Sequence, residues 1–267
     1  MEKPLRRDRQ PASLSPLQPM ADEPGADGVA AAATPAPAPE PGDAGVPPER
    51  VMPYIETRLR HNILKMPPEI REASGIVIYG RRIKSLVFTT DLAIIKNCDA
   101  DAVFAVYPFT PQQSISGAII SAASVPVFCG VGGGTTHGMR TVSLAKDAEA
   151  QGAMCVVLNS PVTNANLLAV SRSVDIPTVI TVTSERTDVE GRLRAGAAIL
   201  NVAGGRQTPQ LVAKIRSEYP KVPIIATGGG TPEDIRATIR AGANAITYTP
   251  PTAQQLFKEM MGRYREG

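Results

Sequence analysis

The chain has 267 residues, with 28 Lys and Arg against 25 Asp and Glu, a formal net charge of +3, and no Trp. Such a near-neutral balance, without a basic stripe, leaves no electrostatic footprint for nucleic acid, and no apolar run of roughly 18 residues exists to span a membrane. Three isolated cysteines, Cys98, Cys129 and Cys155, suit a reducing cytoplasm better than a disulfide framework, and His61 and His137 alone are too few for a three-histidine zinc site.

Residues 1–50 are rich in Pro and Ala (Pro35, Pro37, Pro39 and Pro41 follow an alanine run) and carry few large apolar side chains. Too little apolar surface is available there to offset the ordering entropy, so a disordered tail is expected. Arg6, Arg7 and Arg9 are not followed by an apolar stretch, which excludes a secretory signal, and Glu2, Asp8, Asp22 and Glu23 argue against a transit peptide. In the segment 51–83, Val51, Ile55, Leu59 and Ile63 mark an amphipathic helix over 51–66. The run from Gly75 to Ile83 reads as a short hairpin turning at Gly80. Helix and hairpin are expected to cover the bottom of the body that follows.

From Lys84 onward two kinds of strand start alternate. One follows an aliphatic-proline pair, as at Val125-Pro126, Ile176-Pro177 and Val222-Pro223. The other follows a small-residue turn, as at Gln151-Gly152-Ala153, Ala195-Gly196-Ala197 and Ala241-Gly242-Ala243, with Asp99-Ala100-Asp101-Ala102 as the first copy. Each kind recurs about every 45 to 50 residues, the mark of repeated supersecondary units. The strands fall at 85–89, 102–107, 126–130, 153–159, 178–183, 198–202, 223–227 and 245–249. They are short Val-, Ile- and Ala-rich runs without clean alternation, as expected of parallel strands covered on both faces. Stretches of helical spacing separate them, such as Leu211, Ile215 and Tyr219, or Ile235 and Ile239. Eight right-handed β/α units close into a barrel. The expected fold is therefore α/β: a single (β/α)8 TIM-type barrel over 84–267.

Barrels of this type place their active sites at the C-terminal ends of the strands. After the seventh strand stands Thr227-Gly228-Gly229-Gly230-Thr231-Pro232, and after the sixth Val202-Ala203-Gly204-Gly205-Arg206-Gln207-Thr208-Pro209. Glycines let a ligand approach the backbone, and free N–H groups at a helix start face an anion. Two adjacent loops of this kind point to a phosphate- or carboxylate-binding site made of Gly204, Gly205, Arg206, Gly228, Gly229 and Gly230. For one such loop alone, a tight β/α turn would explain the glycines better. After the eighth strand the chain reads Tyr248-Thr249-Pro250-Pro251. The prolines offer no N–H, so Thr249 is the binding residue expected on that side.

Gly204-Gly205, Leu211-Val212-Ala213-Lys214-Ile215, Pro220 and Ala226-Thr227-Gly228-Gly229 together resemble the corresponding loops of 2-keto-3-deoxy-6-phosphogluconate aldolase and of phosphate-binding barrels such as thiazole synthase. Over residues 66–265 the chain more closely resembles a family of uncharacterised bacterial barrel proteins usually labelled "hydrolase". The motifs are Pro67-Pro68-Glu69-Ile70-Arg71, Asp101-Ala102-Val103, Cys129-Gly130-Val131-Gly132-Gly133-Gly134 and Ile246-Thr247-Tyr248-Thr249-Pro250-Pro251. That resemblance implies a hydrolytic activity with no stated substrate. A Schiff-base aldolase needs a lysine inside the barrel. The sixth strand, Ala198-Ile199-Leu200-Asn201-Val202, has none, and Lys84 stands at the bottom of the first strand.

The titratable groups left on the top loops are Asp91, Glu185 and His137, with Tyr107, Tyr248 and Cys129 nearby. Asp91 and Glu185 are candidate acid and base, if their surroundings separate their pKa values. Asp91 reads equally well as a helix N-cap, and Glu185 as a first-turn carboxylate. Cys129 reads more naturally as a small buried hydrophobe. The glycine run from Gly130 to Gly138 reads as a flap bringing His137 over the ligand. The function expected is a metabolic enzyme acting on a small phosphorylated or carboxylated compound, by acid/base chemistry without a lysine Schiff base and without a cofactor. An FMN-dependent oxidoreductase, with the flavin phosphate at the seventh-strand loop, is one alternative; a non-catalytic ligand-binding barrel is another. The expected partners are a small anionic metabolite and further copies of the chain, as a homodimer or higher oligomer.

Overall fold

A computed structural model describes residues 64–266, with Pro53 and Ile55 ahead of them. The tail expected over 1–50 and most of the helix expected over 51–66 lie outside the described residues. Leu64, Lys65 and Met66, the end of that expected helix, are not helical, and Leu64 forms a parallel bridge with Cys98.

A 3-10 turn, Pro68–Glu72, precedes an antiparallel hairpin of β1 (Ile76–Ile78) and β2 (Arg81–Ile83). Its two-residue turn has Tyr79 at φ 47° and Gly80 at φ 78°. Both central residues are left-handed, as the turn matching strand twist requires. Eight strands follow: β3 (Ser85–Phe88), β4 (Ala102–Ala105), β5 (Val127–Gly132), β6 (Cys155–Leu158), β7 (Thr178–Val182), β8 (Ile199–Val202), β9 (Ile224–Thr227) and β10 (Ala245–Tyr248). They pair in parallel and close as β10-β3-β4-β5-β6-β7-β8-β9. The helices are α1 (Leu92–Lys96), α2 (Gln113–Ala122), α3 (Met139–Ala150), α4 (Asn164–Ser171), α5 (Val189–Arg194), α6 (Thr208–Glu218), α7 (Pro232–Arg240) and α8 (Ala253–Glu266). The fold is the TIM-type barrel that the alternating strand starts imply.

Those two kinds of strand start have separate physical causes. Gly152, Gly196 and Gly242 take φ values of 97°, 93° and 110° just past the ends of α3, α5 and α7, the left-handed position that ends a helix and suits glycine. Pro126, Pro177 and Pro223 enter β5, β7 and β9 where no ladder N–H is needed, while their carbonyls accept from Val103, Val156 and Leu200 of the preceding strands.

Polar side chains at the bottom stitch the strand starts together. Asp101 Oδ2 accepts from the N–H groups of Lys84 and Ser85 at 2.8 and 2.9 Å. Glu149 Oε1 accepts from Asp175 and Ile176 ahead of β7. Asn244 Oδ1 accepts from Ile224 at the start of β9 and from Arg216. The Pro67-Pro68-Glu69-Ile70-Arg71 motif also works here. Ile70 is buried, and Glu69 and Glu72 both receive Arg236 of α7, at 3.1 and 3.2 Å.

Alternation along each strand separates two cores. Side chains such as Val87, Val103, Val156, Leu200 and Ile246 face the helices. Those facing the axis include Leu86, Phe104, Phe128, Val157, Val179 and Ile225, and Ile76, Ile78 and Ile83 of the hairpin join them as the plug at the bottom. A closed eight-stranded barrel climbs one residue per strand around its ring. Following the observed register with that climb stacks the interior in layers. The lowest holds Ala102, Cys155, Ile199 and Ala245, and the next Leu86, Phe128, Val179 and Ile225. Above them come Phe104, Val157, Asn201 and Thr247, then Phe88, Gly130, Thr181 and Thr227 at the mouth.

Candidate functional site

The interior therefore changes character as it rises. Its two lower layers are wholly apolar, while the upper two are divided. On the β3–β5 side Phe88, Phe104 and Phe128 form an aromatic run, with ring centroids 6.1 and 6.2 Å apart. On the β7–β10 side stand Thr181, Asn201, Thr227 and Thr247. None of these eight upper positions is titratable. Asn201 is only 6% exposed. Its Nδ2 donates to Thr181 Oγ1 at 3.2 Å, its partner in the β7–β8 register. Its Oδ1 is buried with no partner among the described residues, and it is the one side-chain atom found in that condition there. Buried polar groups are almost always hydrogen-bonded, so this acceptor calls for an explanation.

Two glycine loops rise beside this polar wall. In the β8–α6 loop Gly204 N–H donates to Thr208 Oγ1, and that hydroxyl donates to Gly205 O at 2.8 Å. Thr208 is buried and fixes the 3-10 turn Gly205–Gln207. The N–H groups of Gly205 and Arg206 have no acceptor among the described residues, a Cβ at Gly205 would meet open space, and the Arg206 side chain is exposed. In the β9–α7 loop Gly228 N–H bonds to Thr247 O, Gly229 takes φ 82°, and the N–H groups of Gly229 and Gly230 have no acceptor among the described residues. Thr231 caps α7 by accepting from Asp234 N–H at 3.2 Å, with Pro232 in the first turn.

The two loops differ in charge. The first turn of α7 carries Glu233 and Asp234, and the Asp234 side chain lies so close to Gly229 that a Cβ there would fall 2.5 Å from it. Those carboxylates already complement the positive end of the helix. The first turn of α6 has no acidic residue and has Arg206 beside it. An anion is favoured at Gly205 and Arg206 over Gly229 and Gly230. On the far side Thr249 is exposed and Pro250 and Pro251 have no N–H to offer. At the β9–α7 loop a flavin phosphate would stand near the first-turn carboxylates of α7, and Pro250 and Pro251 could offer it no N–H.

The titratable candidates are on top loops but are not drawn together. Asp91 Oδ1 accepts from the N–H groups of Ala93 and Ile94 at 2.8 and 3.3 Å, so its carboxylate caps α1. Glu185 pairs with Lys214 of α6 at 3.2 Å, both half exposed, on the flank between α5 and α6. His137 is exposed. Tyr107 Oη accepts from Gln112 N–H at 2.8 Å, and Tyr248 packs among the helix-facing side chains. Cys129 is buried on that same outer face, and burial pushes its thiol pKa up.

The glycine run after β5 makes specific backbone contacts. Residues 130–132 continue β5 through an irregularity in its pairing with β6. Gly133 N–H closes a tight turn onto Thr136 O, Thr136 is buried, and Asn166 brackets Gly138 with bonds to both its N–H and its carbonyl. At Gly133 φ is 107°, and a Cβ would lie 2.6 Å from the backbone nitrogen of Asn159. These glycines permit backbone to pack on backbone. Beneath the turn a small cleft of about 60 Å³ runs between Val106, Tyr107, Gly130, Gly132 and Asn159.

Sequence reasoning passed over Asn201, Thr181 and Thr247. The available signal was a lone Asn in the apolar run Ile199-Leu200-Asn201-Val202, one step in phase from Ile199.

The fold and mouth define a TIM-type (β/α)8 barrel with a neutral polar interior at its C-terminal end. Solved structures of similar shape include a putative phosphonomutase from Burkholderia cenocepacia J2315 (16% identity, TM-score 0.54, covering 68% of this chain and 92% of that one). A phosphonopyruvate hydrolase matches at 16% identity and a TM-score of 0.55, over 71% of this chain and 82% of that one. A 2,3-dimethylmalate lyase, a PEP mutase/isocitrate lyase superfamily member, matches at 11% identity and 0.53, over 74% and 84%. At these identities the likeness shows the barrel fold. No family model and no curated protein matches the chain. The comparisons carry the resemblances to the aldolase, to thiazole synthase and to the hydrolase-labelled family no further than the barrel. Among the described residues no cluster of three or more His, Cys, Asp or Glu is placed to hold a metal ion, and no helix is long and apolar enough to cross a membrane.

Proposed function

We propose that the chain is an enzyme acting on a small phosphorylated or carboxylated compound at the C-terminal mouth of the barrel, by acid/base chemistry without a lysine Schiff base. The observation that carries this reading is the β8–α6 loop. Two N–H groups without acceptors among the described residues, an open approach at Gly205 and the Arg206 cation stand beside a mouth lined with neutral polar groups. The names of the similarly folded phosphonomutase, phosphonopyruvate hydrolase and dimethylmalate lyase agree with an anionic substrate. A Schiff base has no candidate, because none of the axis-facing positions is a lysine and Lys84 Nζ donates to Arg71 O at the bottom. Proton transfer falls to the top-loop groups Asp91, Glu185 and His137; Asp91 would have to release its cap, and Glu185 its lysine, on substrate binding.

A thermal-shift screen against phosphorylated and carboxylated metabolites tests the reading, since a ligand that binds only the folded state raises Tm by mass action. A hit should be lost or weakened about tenfold in Arg206→Ala, as expected for one charge-assisted contact. A hit unaffected by Arg206→Ala removes the β8–α6 loop from the site. Full turnover of that compound by the Asp91→Ala/Glu185→Ala double variant removes both carboxylates from the chemistry.

A further inference from the structure

The anion cradle accounts for one end of a ligand and leaves the interior of the mouth unexplained. Asn201 lies below the rim, in the layer shared with Phe104, Val157 and Thr247, and is more than nine-tenths buried. Two other members of the polar wall, Thr247 and Thr181, are hydrogen-bonded within it. Thr247 Oγ1 donates to Ala226 O, and Thr181 Oγ1 accepts the Asn201 amide. Among the described residues, Asn201 Oδ1 is the one buried side-chain atom left without a partner. A buried acceptor without a donor destabilises the fold, and replacing it with an apolar side chain of similar volume would relieve that cost. The layer above has no side chain at one of its four positions, because Gly130 stands there, and Gly130 also lines the small cleft under the β5–α3 turn. Opposite Asn201 across the axis, on β4, is the ring of Phe104.

We propose that Asn201, oriented by Thr181, is a ligand-binding residue that accepts a hydrogen bond from an uncharged hydroxyl or amide group at the inner end of the substrate. This deepens the reading above and rests on it for the outer, anionic end. The substrate class is then an acid or phosphate ester with a neutral hydroxyl or amide about one barrel layer below its charge. A cation or second carboxylate at the inner end is disfavoured, because none of the eight upper positions carries a charge to compensate it. The aromatic side of the mouth would hold the carbon skeleton between the two ends.

The experiment uses the full chain with three probes: inorganic phosphate, propyl phosphate and glycerol 3-phosphate, titrated by calorimetry into wild type and Asn201→Leu. The two esters have the same carbon count and differ in the hydroxyls. A site built around a hydrogen bond rejects an analogue that lacks the group. Wild type is expected to bind glycerol 3-phosphate at least tenfold tighter than propyl phosphate. In Asn201→Leu that ratio should fall towards one while phosphate affinity stays unchanged. The variant should also melt at a higher temperature than wild type, because an unpartnered buried acceptor has been removed.

Equal binding of the two esters by wild type overturns the proposal and leaves the anion cradle standing. A lower Tm for Asn201→Leu also overturns it, since that result means the amide is satisfied by a buried water and serves the fold. If no probe binds, the anion reading fails, and the sign of the Tm change alone decides whether Asn201 is a vacant acceptor. A Leu variant too unstable to fold is the extreme of a lowered Tm and overturns the proposal in the same way.

Discussion

Asn244 and Asn201 stand at opposite ends of the same barrel, and their amides are used in opposite ways. At the bottom, Asn244 Oδ1 accepts from Ile224 N–H and from Arg216, Nδ2 donates to Ser74 Oγ, and its backbone bonds to Ile224 and Gly75. Every group it offers holds chain to chain. At the mouth, Asn201 gives one bond to Thr181, and its buried oxygen has no partner among the described residues. The bottom is a closed hydrogen-bond network over a hydrophobic plug, and the top is an open one. Division of this kind is expected where one face of a barrel stabilises and the other acts.

The largest effect that would sharpen the comparison is at Arg216. Its guanidinium reaches the carbonyls of Gly242, Pro220 and Val222 as well as Asn244 Oδ1. Arg216→Ala strands several acceptors at once and should cost about 3 kcal/mol in urea unfolding. Asn244→Leu should be destabilising by about 2 kcal/mol, opposite in sign to the same substitution at Asn201. If the two asparagine variants shift the unfolding midpoint in the same direction, the contrast between the two ends is broken.

A smaller but still measurable effect is expected at Gly133, where a left-handed backbone meets Asn159 without room for a Cβ. Gly133→Ala should lose about 2 kcal/mol. A neutral result in thermal melting would mean that the turn can move off Asn159, as a flap would. The least effect concerns the thiols. Burial pushes the Cys129 and Cys155 pKa values up, so at pH 8 each has less reactive thiolate than an ordinary cysteine. Mass spectrometry after iodoacetamide should find neither modified in the native protein and both modified in urea.

The barrel was legible in the sequence because its signals are local. A glycine ending a helix and a proline opening a strand each act over two or three residues, and strand limits such as 85–89 against the observed Ser85–Phe88 follow from them. The site was legible only in part. The Thr231 cap and the α6 and α7 glycine loops can be read directly, and so can the cap alternative for Asp91. Which side chains share a layer depends on register accumulated around eight strands, so the juxtaposition of Asn201 with Phe104 has no short-range signature. The Gly130–Gly138 run is ambiguous for a related reason. Glycines needed for backbone contact with a distant residue, Asn159, look the same in sequence as glycines needed for motion.

The clasp made by the hairpin has a kinetic consequence. The seam of the barrel joins β10 to β3, pairing Ile246 with Ser85 across most of the described chain. Ser74 and Gly75, just ahead of the hairpin, bond to Asn244 at the entrance of β10. Closing so long a loop carries the greatest entropy cost of any pairing here, and such contacts form late. Seam closure would therefore gate both folding and escape from the native state, with the Ser74–Asn244 contact acting as its latch. Amide exchange at Ile246, whose N–H bonds across the seam to Lys84 O, would then report how often the ring opens, while the β5–β6 pair stays protected.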